Sequence, residues 1–200
     1  VVTLVLDGAD ITCTVALAVF FYRVYECDQD WTAWDGEDGA DPPSAGQDTA
    51  RAGAKVVLAD GSVNNVSGSH VARIYRDGEG QKKLHKYDGA FYSRMSMEIA
   101  GGPEGTGTLN ITADNEGLDS ELHLTVNGGR INIRSQDDGI NTNEDNVSVT
   151  TINGGSLHIV AGLGGEGDGI DSNGFLVING GVVIASASPQ ADSGLDSDCG

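Results

Sequence analysis

Basic side chains are scarce in this 200-residue sequence, which has 11 lysines and arginines against 30 aspartates and glutamates. The formal net charge is therefore −19 at pH 7. Nucleic-acid binding depends on cationic side chains that neutralise phosphates, so we expect no nucleic-acid partner. Carboxylates at this density repel one another unless water or cations separate them, and Ca²⁺ is a cation that prefers such oxygen ligands.

Long apolar runs are also missing. No stretch approaches 18 consecutive apolar residues, which excludes a transmembrane helix and predicts no membrane insertion. Proline is rare as well, with four residues, whereas glycine contributes 30. A glycine excess without proline indicates many backbone turns and argues against a disordered chain.

Cysteine is limited to Cys13, Cys27 and Cys199, which fit no zinc-binding spacing. Cys13 and Cys27 either pair in an oxidising compartment or remain two buried thiols, and the sequence leaves both readings open. The chain has no initiator methionine and no signal peptide, begins in a strand-like run and stops just after a repeat motif. Repeat arrays need capped ends, so we expect a piece of a longer, exported protein.

What the sequence contains in abundance is a repeat. Asn-Gly-Gly occurs at 127–129, 153–155 and 179–181, with a constant spacing of 26 residues. A second motif places Leu or Ile after a glycine and Asp or Asn one residue later, and residues 88–93 are a looser copy of it. In its four clear copies the glycines are 22, 30 and 25 residues apart, at Gly117, Gly139, Gly169 and Gly194.

Short segments of alternating apolar residues lie between the motifs. Ile131 and Ile133 occupy the places that Leu157 and Ile159 occupy one unit later, and a period of two indicates a strand. Asn and Gly tolerate positive φ, so Asn-Gly-Gly predicts a corner that every unit turns at the same place. About three strands per 22–30 residue coil, without helical spacing, predict an all-β parallel β-helix, or solenoid. Successive coils would climb about 4.8 Å.

We predict a single β-helix domain over 1–200, with its most regular coils at 103–198. An acidic segment at 28–53 contains both tryptophans, and a second segment at 73–94 holds six of the 11 basic residues. Both read as loops inserted into the solenoid. Loops that project from a solenoid commonly form its binding face.

Acidic side chains recur at two places in the Gly-Leu/Ile motif. If coils stack directly, the residues two after each glycine form one column and those one before it form a second column beside the first. Unit charges about 4.8 Å apart repel by roughly 1 kcal/mol in water-like surroundings. Ca²⁺ between coils would offset this repulsion, although the side chains could instead extend into solvent or hydrogen-bond the turns. The candidate metal ligands are Glu116, Asp119, Asp138, Asn141, Asp168, Asp171 and Asp196.

Aromatic side chains are candidates for stacking on sugar rings, because an aromatic face matches the apolar face of a pyranose. Trp31 and Trp34 stand out in an acidic segment that is otherwise poor in apolar residues, although such rings can also serve as packing. The tyrosines that could act in the same way are Tyr22, Tyr25, Tyr75, Tyr87 and Tyr92.

Basic residues of the second segment could contact the carboxylates of an acidic sugar, with arginine offering bidentate contacts. Local charge balance on an acidic surface is the equally ordinary alternative. Arg73 and Arg76 are the first choices, and the others are Lys82, Lys83, Lys86 and Arg94.

Catalytic constellations are not detectable. No histidine has a suitably spaced partner, and the repeats contain no lysine that could act as the base of a lyase. A ladder of carboxylates always contains pairs, so a glycoside hydrolase stays an alternative. We therefore expect a binding protein, with a lyase or hydrolase and a purely structural stalk as the alternatives.

The units LNITADNEGLDS, INGGSLHIV and GDGIDSNGFLVINGG, with the opening VTLVLDGADIT, resemble a known family. It is the family of carbohydrate-binding domain-containing proteins of clostridia and related bacteria, and the resemblance is clearest over 103–198. The resemblance implies a right-handed parallel β-helix, bound calcium, secretion or cell-surface attachment, and binding to plant cell-wall polysaccharides such as cellulose and pectin. The segments 28–53 and 73–94 fall outside its motifs. We expect an extracellular bacterial protein, a monomer, with a polysaccharide as its partner.

Overall fold

The computed structural model describes residues 1–26, 49–71, 87–190 and 192–199, which contain strands and no helix. Within these ranges no helix is long and apolar enough to cross a bilayer. In chain order the strands are β1 (Val2–Leu6), β2 (Asp10–Thr12), β3 (Val19–Phe21), β4 (Ala54–Leu58), β5 (Val63–Gly68), β6 (Gly89–Ser93), β7 (Met97–Gly101), β8 (Thr108–Ala113), β9 (Glu116–Ser120), β10 (Leu124–Val126), β11 (Arg130–Ser135), β12 (Ile140–Thr142), β13 (Val149–Ile152), β14 (Ser156–Val160), β15 (Ile170–Ser172), β16 (Phe175–Ile178), β17 (Val182–Ser186) and β18 (Leu195–Ser197).

The strands form three parallel sheets that the chain visits in turn, so every third strand joins the same sheet. The first sheet has the order β1-β4-β7-β10-β13-β16, the second β2-β5-β8-β11-β14-β17 and the third β3-β6-β9-β12-β15-β18. The predictions of an all-β fold and parallel strands are confirmed, and three sheets visited in turn are consistent with a β-helix-like solenoid. Its right hand stays a prediction.

The register between coils follows the predicted columns. Ile131 of β11 lies between Leu109 of β8 and Leu157 of β14, as the alternation in the sequence predicts. In the third sheet, Ile140 lies between Leu118 and Ile170. A slip of one residue would turn every apolar side chain to the opposite face, so the buried columns fix this register.

The core is one hydrophobic cluster to which all three sheets contribute side chains. In a single coil, Val126 of the first sheet, Ile131 of the second and Ile140 of the third are all fully buried within it. Burying an aliphatic side chain of this size contributes about 1.5–3 kcal/mol. Because most strands contribute buried apolar side chains, the stack of coils stabilises strands that would be too short to persist alone.

The Asn-Gly-Gly triplets are corners between the first and second sheets. The third residue of each has positive φ, namely 93° at Gly129, 89° at Gly155 and 88° at Gly181, which confirms the predicted use of glycine. The preceding asparagines form an amide ladder. Asn153 donates to the side chain of Asn127, and that of Asn179 donates to Asn153, each over 2.8 Å.

Candidate cation site and aromatic cluster

The copies of the Gly-Leu/Ile motif lie directly over one another in the third sheet. The peptide N–H of Leu118 donates to Gly139 O over 3.0 Å, and that of Ile140 donates to Gly169 O over 3.1 Å. The predicted column of residues two after each glycine is therefore present. Its members, which are neighbours in register on β9, β12, β15 and β18, are Asp119, Asn141, Asp171 and Asp196. We call this set the acid column.

Close approach of the coils explains the glycine in each copy. A Cβ atom built on Gly139 would lie 2.2 Å from Ile159 Cγ2 and 2.5 Å from Gly169 O. On Gly169 it would lie 2.3 Å from the carbonyl oxygen of Gly194. Neither site admits a side chain, so these glycines hold consecutive coils at the spacing that stacks the acids.

The acids that precede each glycine lie beside the acid column and are partly engaged by backbone. Asp138 Oδ1 accepts the N–H of Asp168 over 2.7 Å, and Asp168 Oδ1 accepts the N–H of Ser193. Glu116 Oε1 accepts from the Asn141 amide over 3.3 Å. Asp138 and Asp168 thus each use one oxygen for the turn hydrogen bond that the sequence left open as an alternative to metal binding, whereas Glu116 accepts from a side chain.

The Asp119 end of the acid column is buried and short of hydrogen-bond donors. Asp119 is fully buried, and its Oδ1 accepts from the Asn143 amide over 2.5 Å. Asp119 Oδ2 and Asn141 Oδ1 are also buried, and neither receives a hydrogen bond. A buried acceptor without a donor costs about 1–3 kcal/mol, and more if it is charged. A proton shared with the Glu116 carboxyl would satisfy Asp119 Oδ2 alone, whereas a cation would satisfy Asp119 Oδ2 and Asn141 Oδ1 together.

Burial changes the acidity of this end. It raises the pKa of Asp119 well above 3.8, and the nearby carboxylates of Glu116 and Glu121 raise it further. Burial also raises the pKa of Asp138 to about 8, although the N–H that its carboxylate accepts lowers it in part. The polypeptide alone therefore holds protons here near neutral pH, where a bound cation would replace them.

The Asp196 end is more exposed and brings three carboxylates together. One oxygen from each of Asp168, Asp171 and Asp196 lies within 4.8 Å of the others. Burial, followed by the charges of Asp168 and Asp196, raises the pKa of Asp171 to about 6. Burial likewise raises the pKa of Asp168, against the opposing hydrogen bond from Ser193. These carboxylates have no cationic side chain to neutralise them among the described residues.

A carboxylate elsewhere in the fold shows the opposite arrangement. Asp60 accepts hydrogen bonds from the N–H groups of Glu104 and Thr106, over 3.1 and 3.2 Å. The bond from Glu104 is the largest cause of a lowered pKa for Asp60. Asp60 thus has backbone donors and solvent to stabilise its charge, whereas the buried Asp119 accepts a hydrogen bond only at Oδ1.

The chemistry of the donors fits a hard divalent cation. Ca²⁺ takes six to eight oxygen ligands from carboxylates, amide carbonyls and water in a flexible geometry. The acid column and its flanking residues offer carboxylate oxygens together with the unpaired Oδ1 of Asn141. No thiol or imidazole ligand is part of the set, so zinc and copper are poorer matches.

Tyr92, one of the predicted sugar-binding residues, lies in the third sheet next to Asp119. It is 0% exposed, and its hydroxyl donates to Glu121 Oε1. Its ring contacts those of Phe20 and Tyr87, with centroids 5.2 and 5.5 Å away. A buried ring offers no face to a sugar, so Tyr92 serves here as the base of an aromatic cluster.

The outer part of this cluster reaches the surface. Phe20 contacts the Tyr22 ring edge-on at 5.4 Å, and the guanidinium carbon of Arg94 lies 5.1 Å from the centre of Tyr22. In the sequence analysis Tyr22 and Arg94 are secondary candidates, and Phe20 has no role. The one sequence signal for this cluster is the similarity of Val19-Phe20-Phe21 to Phe91-Tyr92-Ser93, which pair in register in β3 and β6.

The other predicted sugar contacts, Trp31, Trp34, Arg73 and Arg76, lie outside the described residues. Cys27, the predicted partner of Cys13, does so too.

Comparison with known proteins gives one family. A family model described as carbohydrate-binding domain-containing protein matches residues 47–197. No match was found among curated proteins or among solved structures. The matched range covers most of the chain and includes the whole acid column. This chain belongs to the carbohydrate-binding domain-containing protein family.

Proposed function

We propose that this chain is a secreted bacterial polysaccharide-binding module that binds Ca²⁺ along its acid column. Membership of the family supports a carbohydrate partner. The observation that carries the calcium proposal is the pair of buried oxygens, Asp119 Oδ2 and Asn141 Oδ1, that receive no hydrogen bond. The resemblance to clostridial proteins supports secretion and plant cell-wall glycans such as cellulose or pectin.

Neutralisation of the acid column is the physical reason for the cation. Carboxylates on adjacent coils, about 4.8 Å apart, repel by roughly 1 kcal/mol in water and by several times more where water is excluded. Asp119, Asn141 and Asp171 would hold an ion at the buried end, and Asp168, Asp171 and Asp196 at the exposed end. Ca²⁺ supplies charge neutralisation there and links one coil to the next.

Binding without catalysis is the function that the described residues support best. His123 is buried and its Nδ1 accepts the N–H of Val149 over 3.0 Å, so it supports the backbone. His158 lies exposed on the second sheet, where Arg134 is also exposed. A lyase or hydrolase on acidic glycans and a structural stalk are the two competing functions, and each has its own test.

Affinity electrophoresis in gels that contain polygalacturonate, with a cellulose pull-down beside it, separates a binder from a stalk. We expect retardation in at least one glycan, and a module whose fold depends on calcium should lose it in chelator and recover it when calcium is restored. Migration that no glycan changes would overturn the carbohydrate proposal. Release of unsaturated uronates, followed by ultraviolet absorbance, or of reducing ends would instead identify a lyase or a hydrolase.

A further inference from the structure

We infer that an anionic sugar binds this chain at an exposed patch formed by Phe20, Tyr22 and Arg94 at the β3 edge of the third sheet. We call this set the aromatic–basic patch. The inference deepens the proposed function and rests on it, since it takes for granted that the chain binds carbohydrate.

The patch stands on a rigid support. Tyr92 is buried and fixed by its bond to Glu121, and Phe20 packs on Tyr92 and Tyr87 with ring centroids 5.2 and 5.1 Å away. Tyr22 then packs on the outer side of Phe20. A ring held in place before the ligand arrives loses little conformational freedom on binding, which favours affinity.

Exposure of these rings is unusual in the described part of the chain. Phe20 is 37% exposed and Tyr22 is 53% exposed, and the other strongly exposed aromatic residue there is Tyr25, at 36%. Phe20 and Tyr22 are in ring contact, whereas Tyr25 lies beside Arg51. Exposed apolar rings gathered at one place commonly mark a binding surface, and aromatic rings are suited to the apolar face of a pyranose.

Arg94 supplies the charge. Its guanidinium lies over the Tyr22 ring, and no carboxylate among the described residues forms an ion pair with it. Arg23, also exposed, follows Tyr22 directly in the chain. In a protein of net charge −19, a guanidinium beside an exposed ring is complementary to a sugar that carries a carboxylate.

Position within the sheet reinforces this complementarity. β3 and β18 are the two edges of the third sheet, five strand spacings or about 24 Å apart. The charges at the Asp196 end are therefore screened from the patch at physiological ionic strength, where the Debye length is about 8 Å. An anionic sugar would be repelled at the Asp196 end but would meet an arginine at the β3 edge.

The test compares two pairs of variants for binding to polygalacturonate and to neutral hydroxyethylcellulose. Tyr22→Ala removes the exposed ring, and Arg94→Gln removes the charge with little change in size. The matched controls are His158→Ala and Arg134→Gln, which make the same kinds of change on the second sheet. Thermal unfolding of every variant shows that it is folded.

We expect Tyr22→Ala to weaken polygalacturonate binding about five- to tenfold. Arg94→Gln should have a similar effect on polygalacturonate and little effect on the neutral glycan, because only the former carries carboxylates. The controls should bind as the wild type does. If the wild type binds polygalacturonate and both patch variants bind it as tightly as the wild type does, this inference is overturned while the proposed function stands. If the wild type binds neither glycan, both fail.

Discussion

At the scale of single residues, the calcium proposal rests on two buried oxygen atoms of the acid column. Asp119 Oδ2 and Asn141 Oδ1 lie in the core of a strand ladder and receive no hydrogen bond. A native fold rarely leaves such acceptors unpaired, so each calls for a partner. A cation would satisfy both, whereas a proton on Asp119 would leave Asn141 Oδ1 without a partner and would not reduce the repulsion farther along the column.

Asp119→Asn keeps the size of the side chain and removes its charge. At pH 8 with saturating calcium, we expect the free energy of unfolding to fall by about 1–3 kcal/mol, because a charged ligand is lost. In chelator the same change should be neutral or stabilising, because the wild type then buries an uncompensated carboxylate or binds a proton. Denaturant unfolding in both conditions measures the difference.

The control for that experiment is Asp60→Asn. The Asp60 carboxylate is held by the backbone N–H groups of Glu104 and Thr106 and lies outside the acid column. Its replacement should therefore cost the same with calcium and with chelator. If Asp119→Asn also destabilises equally in both conditions, Asp119 is not a calcium ligand.

Gly155→Ala tests the corner between the first and second sheets. The φ of Gly155 is 89°, and a Cβ atom there would lie 2.6 Å from Gly129 O, so both backbone strain and a steric clash oppose alanine. We expect a loss of about 3 kcal/mol or more in the free energy of unfolding. Gly61→Ala is the matched control, since Gly61 has φ 71° but open space around it, and should lose only about 1–2 kcal/mol. Equal losses in the free energy of unfolding of the two variants would show that the contact between coils at Gly155 does not contribute to stability.

At the scale of an element, the third sheet gathers acids whose pKa values are raised together. The pKa of Asp138 is raised to about 8 and that of Asp171 to about 6, from 3.8 in each case. A raised pKa means that the folded chain binds protons more tightly than the unfolded chain. Without calcium, the contribution of these acids to the free energy of unfolding should therefore be complete near pH 4 and decline as the pH rises towards 8.

This decline can be measured by denaturant unfolding in chelator between pH 5 and pH 8. We expect the free energy of unfolding to fall over that interval, and to fall less with calcium present, because the ion takes the place of the protons. In chelator, Asp138→Asn should reduce the dependence of the free energy of unfolding on pH. This variant separates the effect of the Asp138 carboxyl from the general effect of net charge. A chelated protein that is more stable at pH 8 than at pH 5 would contradict the assignment.

Much of this sheet could be predicted from sequence because its signals are local and repeated. The glycines of the motif predict the strands and register of the third sheet, and alternating residues such as Ile131 and Ile133 do the same for the second sheet, without knowledge of distant contacts. The stacking of Phe20 on Tyr92 could not be predicted in this way. Val19–Phe21 lacks the glycine and the acid of the motif, so only the register across a long intervening segment places β3 beside β6.

Side-chain burial was the other feature beyond the reach of sequence. The sequence makes Tyr92 a candidate sugar contact, but its neighbours Phe20 and Tyr87 enclose it. The hydrogen bond from the Ser193 N–H to Asp168 Oδ1 depends on turn geometry that the spacing of motifs does not specify. The sequence pattern thus predicted which residues share a column, whereas the contacts between columns could be seen only in the structure.

At the scale of the whole molecule, the two edges of the third sheet differ in chemistry. Aromatic rings and Arg94 lie at its β3 edge, and carboxylates gather towards its β18 edge. This division would let one fold bind cations along the acid column and a sugar at the β3 edge through different side chains. Calcium at the acid column would then support sugar binding by keeping the coils ordered.

Thermal unfolding during a calcium titration tests the central claim most directly. The account predicts that the chelated protein melts lower and that its melting temperature rises steadily with calcium concentration. At 100 times the dissociation constant the stabilisation would be about 2.7 kcal/mol, or about 5–10 °C for a domain of this size. Magnesium, which demands a stricter geometry, should shift it less. A melting temperature that stays the same from chelator to saturating calcium would contradict the account.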